Sequence, residues 1–148
     1  YNKLRSSETS ESINKISKSS EIVGSVTKEV RVYTEGDHLK SCERNILSLY
    51  EEFRNQILNL DDKIEVIAKK KYIAFKASSN FIDILPQKNK IKFWLNIPKG
   101  YLNDPYKLSR DVSNIGHWGN GDYEFNISSL DDFINLMPLI KQSYKRNK

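Results

Sequence analysis

The chain is poor in the residues that would staple it covalently, build a metal centre or anchor it in a bilayer. Cys42 is the one cysteine in 148 residues, so no intrachain disulfide can form, and a zinc site built on several thiolates is excluded. Two histidines, His38 and His117, are too few for a metal site without acids at fixed spacing. No apolar run approaches the ~18 residues of a membrane helix, so no membrane association is expected. Sparse cysteine and the lack of a signal-peptide pattern point to the cytoplasm. No serine stands in a nucleophile elbow, and no glycine-rich loop continues into lysine and serine or threonine. The expectation is a non-enzymatic protein without a cofactor or metal.

What is abundant is lysine, and it is unevenly placed. The net charge is +5, yet Lys63 to Lys99 holds nine lysines against Glu65 and Asp83, a local charge of +7. The remainder is slightly acidic. Such asymmetry suggests an anionic partner, DNA or RNA among them; it also reads as a solvated lysine-rich surface.

Residues 1–28 are a serine-rich polar mixture, with eight serines. Such a segment buries too little apolar surface to offset its ordering entropy and reads as a linker to a neighbouring domain, with one α+β domain expected over 29–148. "EVRVYT" alternates and reads as a short edge strand. From Asp37 the apolar period becomes helical: Leu39, Cys42, Ile46, Leu49, Tyr50, Phe53, Ile57 and Leu60 share one stripe. Thr34 or Asp37 can cap the helix. Four strands follow, "KIEVIAK", "KKYIAFKA", "NFIDILP" and "KIKFWLNI", joined by hairpin-length turns. In the fourth, Ile91, Phe93, Leu95 and Ile97 oppose Lys90, Lys92, Trp94 and Asn96.

"NDPYKLSRDVSNIG" carries helix punctuation: Asn103 or Asp104 as cap, Pro105 at the first turn, Gly116 past the end. "DYEFNIS" reads as the last strand. "SSLDDFINLMPLIKQSYK" reads as the closing helix, with Ser129 and Asp132 as an approximate capping box and Pro138 kinking or splitting it. The fold expected is α+β: an antiparallel sheet of about five strands, two long helices packed on one face, and a short helix before the last strand.

Two constellations are candidate sites. Lys70, Tyr72, Lys76, Lys90, Lys92 and Trp94 combine cations with aromatic rings on the sheet face opposite the core, the pairing used by binders of single-stranded nucleic acid. No arginine accompanies them, so bidentate reading of guanine is not on offer. The bland reading covers Tyr72 and Trp94 with another element and lets the lysines snorkel around it. In "GHWGNGD", Gly116 reads as a helix C-cap and Asn120–Gly121 as a type I′ turn. His117, Trp118 and Asp122 would line a small ligand recess, or else Trp118 plugs the core and His117 caps helix carbonyls. The basic tail "KQSYKRNK" is ordinary for a helix C-terminus.

"LYEEFRNQIL", "KKKYIAFKASSNFIDILPQKNKIKFWLNIP" and "DPYKLSRDVSNIGHWGNGDYEFNISS" together resemble one uncharacterised bacterial domain family, over roughly 37–146. The GHWGNGD-type block is its most specific feature. The resemblance implies a domain often found at the C-terminus of larger restriction- or nuclease-type proteins, sometimes labelled "predicted transport protein", and brings no established catalytic residue with it. It implies an accessory module of a DNA-targeting protein; the alternatives are a protein–protein docking module and a small-ligand sensor.

Overall fold

Alternating apolar residues from 65 to 95 build a four-stranded meander, the centre of the computed structural model, which describes residues 32–116 and 120–148. The strands are β1 (Glu65–Ala68), β2 (Ile73–Lys76), β3 (Asn80–Pro86) and β4 (Ile91–Leu95). Beyond a long connection come β5 (Arg110–Asp111) and β6 (Tyr123–Ile127). The sheet order is β1-β2-β3-β4-β6-β5, with every pair antiparallel. A register shift between Phe75 and Lys76 opposite Asn80 marks a bulge where β2 turns into β3.

Register fixes the two faces. On the core face Ile73 opposes Ile84, Ile84 opposes Phe93, and Phe93 opposes Phe125, all fully or nearly fully buried. Phe93 stacks on Phe125 with ring centroids 4.9 Å apart. Helix α2 (Arg44–Leu58) inserts Phe53 here, edge-on to Phe93 at 5.1 Å. Phe53 also meets Phe133 of α3 (Asp131–Ile134) at 4.8 Å. Helix α4 (Met137–Asn147) packs on β3, where Ser143 Oγ donates to the Phe81 carbonyl. A core of this size supports folding without staples.

The expected helix from Asp37 is two helices. Thr34 caps the short α1 (Glu35–Leu39) through a full capping box with Asp37. The chain then turns out of helix at 40–43, because Glu43 N–H donates to the Lys88 carbonyl at 2.9 Å rather than within a helix. The apolar stripe still packs on the core: Ile46, Leu49, Tyr50, Phe53 and Ile57 fully, Leu39, Cys42 and Leu60 in part.

The short helix expected at 103–116 does not form. Asp104 turns its carboxylate onto its own loop, accepting from Leu108 N–H at 2.9 Å and from Ser109 N–H and Oγ–H at 2.8 and 2.6 Å. Side-chain bonds of this kind compete with helix, and Lys107 at φ 53° ends the turn. The closing helix is split into α3 and α4 as Pro138 allows, with the proline in the first turn of α4. Ser129 and Asp132 do not form a capping box; Leu130 is the N-cap of α3, and Asp132 Oδ2 accepts from Ser128 N–H at 3.2 Å. Of "EVRVYT", residues 29–31 lie outside the described residues and 32–34 carry no regular structure. Residues 1–28 also lie outside them.

Candidate functional site

The far face of the sheet begins as a simple alternation and ends as a buried polar row. Ala74 on β2 opposes Asp83 on β3, Asp83 opposes Trp94 on β4, Trp94 opposes Glu124 on β6, and Glu124 opposes Arg110 on β5. Trp94 is 2% exposed, Asp83 1% and Glu124 5%. Trp94 and Val112 are buried apart from the principal core. The stacking role expected of Trp94 is therefore corrected: its ring is inside the molecule, and no base can lie on it.

The two buried acids are held differently. Glu124 lies 3.4 Å from Arg110 Nη1 and 3.9 Å from Lys92 Nζ. Lys92 thus neutralises an internal carboxylate instead of standing free on an open face. Asp83 Oδ2 accepts from Asn120 N–H at 2.7 Å, while Oδ1 has no hydrogen-bond donor within bonding distance among the described residues. Burial pushes the Asp83 carboxyl up to about 6, against the pull of the Asn120 bonds and the Lys69 charge. Half-buried Tyr72 is raised by burial and by the Asp83 charge, with an Asn120 hydrogen bond pulling the other way.

The expected lysines do not gather at one place on the sheet. Lys70 lies in the β1–β2 turn and Lys90 closes the β3–β4 turn, donor and acceptor pairs there being Lys69 N–H to Tyr72 carbonyl at 2.8 Å and Gln87 N–H to Lys90 carbonyl at 2.9 Å. In an antiparallel meander these two turns stand at the same end of the sheet, about 10 Å apart. Lys76 is at the opposite end, paired in register with Glu65. The structure adds Lys69, Lys71 and Lys88 to the lysine end. Two bonds bring the helices up to it: His38 Nε2 to the Lys69 carbonyl at 2.6 Å, and Glu43 N–H to Lys88. Exposed Lys40 and Arg44 come with them.

In the glycine block, His117 and Trp118 lie outside the described residues. Asp122 holds the chain together locally: Oδ2 accepts from Lys99 N–H and its carbonyl from Val112 N–H, both at 2.8 Å. Gly116 follows no helix and has no positive φ, so it is not a C-cap; Gly121 has positive φ, 88°, as a tight turn at Asn120–Gly121 requires of its second residue. Its Cα packs on β4, where an added Cβ would lie 2.0 Å from the Leu95 carbonyl oxygen.

Sequence reasoning missed Asp83, Glu124, Arg110 and Asn120. One signal was legible: an acid inside "NFIDILP", an otherwise apolar strand. Among the described residues no three His, Cys, Asp or Glu side chains group to hold a metal, and no helix is long and apolar enough to cross a membrane.

Residues 35–147 match the family described as a domain of unknown function, DUF5655. The chain belongs to that family. This DUF5655 chain is 44% identical over 144 residues to an uncharacterised protein of Haemophilus influenzae strain Rd, covering 97% of the chain and 48% of the relative. It thus spans about half the length of that relative. No solved structure matches it.

Proposed function

We propose that this domain is a non-catalytic accessory module that holds nucleic acid by its phosphate backbone, weakly and without sequence preference, for a neighbouring domain of a longer restriction- or defence-type protein. The observation that carries the reading is the lysine end of the sheet: Lys69, Lys70 and Lys71 on one turn, Lys88 and Lys90 on the next, with the α1–α2 junction tied to both. Lysine offers a mobile point charge that suits phosphate and cannot read a base edge bidentately. The relative's greater length is consistent with a module serving another domain.

Charge contact makes affinity fall with salt; four phosphates neutralised predict roughly a 100-fold loss between 50 and 200 mM. Lys70→Glu with Lys88→Glu should weaken binding to short DNA in fluorescence anisotropy. Lys92→Glu is the wrong variant, because it sets a second carboxylate against buried Glu124. Absence of binding at the lower salt, or binding indifferent to the charge reversal, sinks the proposal.

A second reading, docking of another domain, is favoured by exposed Leu47, Leu130 and Ile134. Leu130 lines a groove of about 310 Å³ between α2 and the β6–α3 turn. Loss of a partner on Ile134→Asp without loss of DNA would favour it.

A further inference from the structure

Among its described residues the connection from β4 to β6 contains no helix, yet it is pinned at several points. Lys99 N–H donates to Asp122, and Gly100 N–H to Tyr123 Oη at 2.7 Å. Asn103 exchanges two bonds with Gln142 of α4: its N–H donates to Oε1 at 2.9 Å, and Gln142 Nε2–H donates to its carbonyl at 2.8 Å. Asp104 closes the following turn on itself. What a loop held this tightly leaves outside is a property of the fold. It leaves Tyr101 67% and Tyr106 78% exposed, with Leu108 and Ile115 exposed as well. Large apolar side chains exposed along one hydrogen-bonded segment are a candidate binding surface.

The surroundings specify the chemistry. Exposed Lys99, Lys107 and Arg110 lie on the same segment, and Lys145 and Arg146 on the last turn of α4. The Arg146 guanidinium sits 4.7 Å from the Tyr101 ring centroid, so cations already flank the aromatic surface. The segment's own acids are engaged: Asp104 by its turn, Asp111 by Ser113 N–H at 2.9 Å and by Lys99 at 4.0 Å. Exposed aromatics with a cation against one ring and further cations along the same segment favour a polyanion carrying flat rings over an apolar peptide.

We propose that Tyr101 and Tyr106 stack the unpaired bases of a single-stranded nucleic acid while Lys99, Lys107, Lys145 and Arg146 meet its phosphates. The proposal rests on the phosphate-binding reading above and adds the form of the ligand. A tyrosine face accepts any base, so the surface is blind to sequence, whereas a duplex keeps its bases paired and cannot offer them. Tyr101 and Tyr106 are at most about 18 Å apart along the chain, within reach of one short oligonucleotide.

The test is fluorescence anisotropy of the whole chain with a labelled oligothymidine of about 15 nucleotides and with the matching duplex, at about 50 mM salt. Tyr101→Ala/Tyr106→Ala should weaken single-strand binding about tenfold or more and leave the duplex within about twofold. Tyr101→Phe/Tyr106→Phe should bind as wild type, since the ring and not the hydroxyl is used. Lys70→Glu/Lys88→Glu should weaken both forms. Single-strand binding unchanged by the alanine pair overturns the proposal and leaves the phosphate reading standing if the lysine variant still acts. Loss in the phenylalanine pair overturns it too. Failure of the wild type to bind either form overturns both.

Discussion

Gly121 and Gly116 bracket the same short block and have opposite tolerances. Gly121 combines φ 88° with backbone contact to β4, where a Cβ would meet the Leu95 oxygen at 2.0 Å. Gly121→Ala should cost about 4 kcal/mol or more, seen as a collapse of the thermal midpoint or loss of soluble protein. Among the described residues nothing lies within 4 Å of a Cβ built on Gly116, and Gly116→Ala should stay within about 0.5 kcal/mol of wild type. Asp83 supplies a second residue-scale expectation. Burial lifts its folded-state pKa from the ordinary 3.8 to about 6, so between those values the folded chain holds more proton than the unfolded. The contribution of Asp83 to stability therefore declines as pH rises from about 4 to about 6 and stays low above, by roughly 3 kcal/mol. Asp83→Asn retains an acceptor for Asn120 N–H without the charge. The variant should melt above wild type at pH 8, with the gap closing towards pH 4. A gap that ignores pH would remove the buried charge as its cause. Glu35 responds oppositely: burial opposes its ionisation, but hydrogen bonds from Arg54 and Tyr50 overcome that and lower its pKa, so its contribution is lost on acidification. The difference between wild type and Asp83→Asn isolates the one residue.

At the scale of elements, alternation told the truth where it was long enough. β2, β4 and β6 were legible in the sequence through a two-residue period over four or more positions, which favours one pairing register, and β1 and β3 as short apolar runs between turn residues. β5 was not, since two residues carry no period and Arg110 and Asp111 are both exposed. The false helix at 103–116 had correct punctuation, but Asp104 spends its capping capacity on a single turn. The break before α2 comes from a carbonyl on a distant turn, which no local pattern encodes. The tail that reads as an ordinary basic helix end is a clamp: Asn147 accepts Ser78 and Ser79 N–H on its carbonyl at 2.9 and 3.1 Å, accepts Ser79 Oγ–H on Oδ1 at 2.7 Å, and donates from Nδ2 to the Asn96 carbonyl at 3.1 Å. Asn147→Ala should cost about 1–3 kcal/mol. Its signature in hydrogen exchange is faster opening of the last turn of α4 and of the Ser78 and Ser79 amides, with amides of β3 and β4 unchanged.

For the whole molecule, the charge asymmetry was legible but its geometry was not. Lysines counted along the chain divide in space between a lysine end, the partner of Glu124 and the opposite end of the sheet. Trp94 was misplaced for a related reason: one-sided burial is the default for an antiparallel sheet, and the far-face row of Asp83, Trp94 and Glu124 is closed by pairings that span the long connection. The same topology orders the folding reaction. The meander is joined by short turns and needs only local encounters, so its contact order is low. Leu95 must then find Tyr123 across residues 96–122, an entropy of closure near 3 kcal/mol plus a constant before any pairing repays it. The expected order is hairpins first, with the step that seats β6 as the slow one, which deuterium pulse labelling would show as β2–β3 amides protected before those of β6.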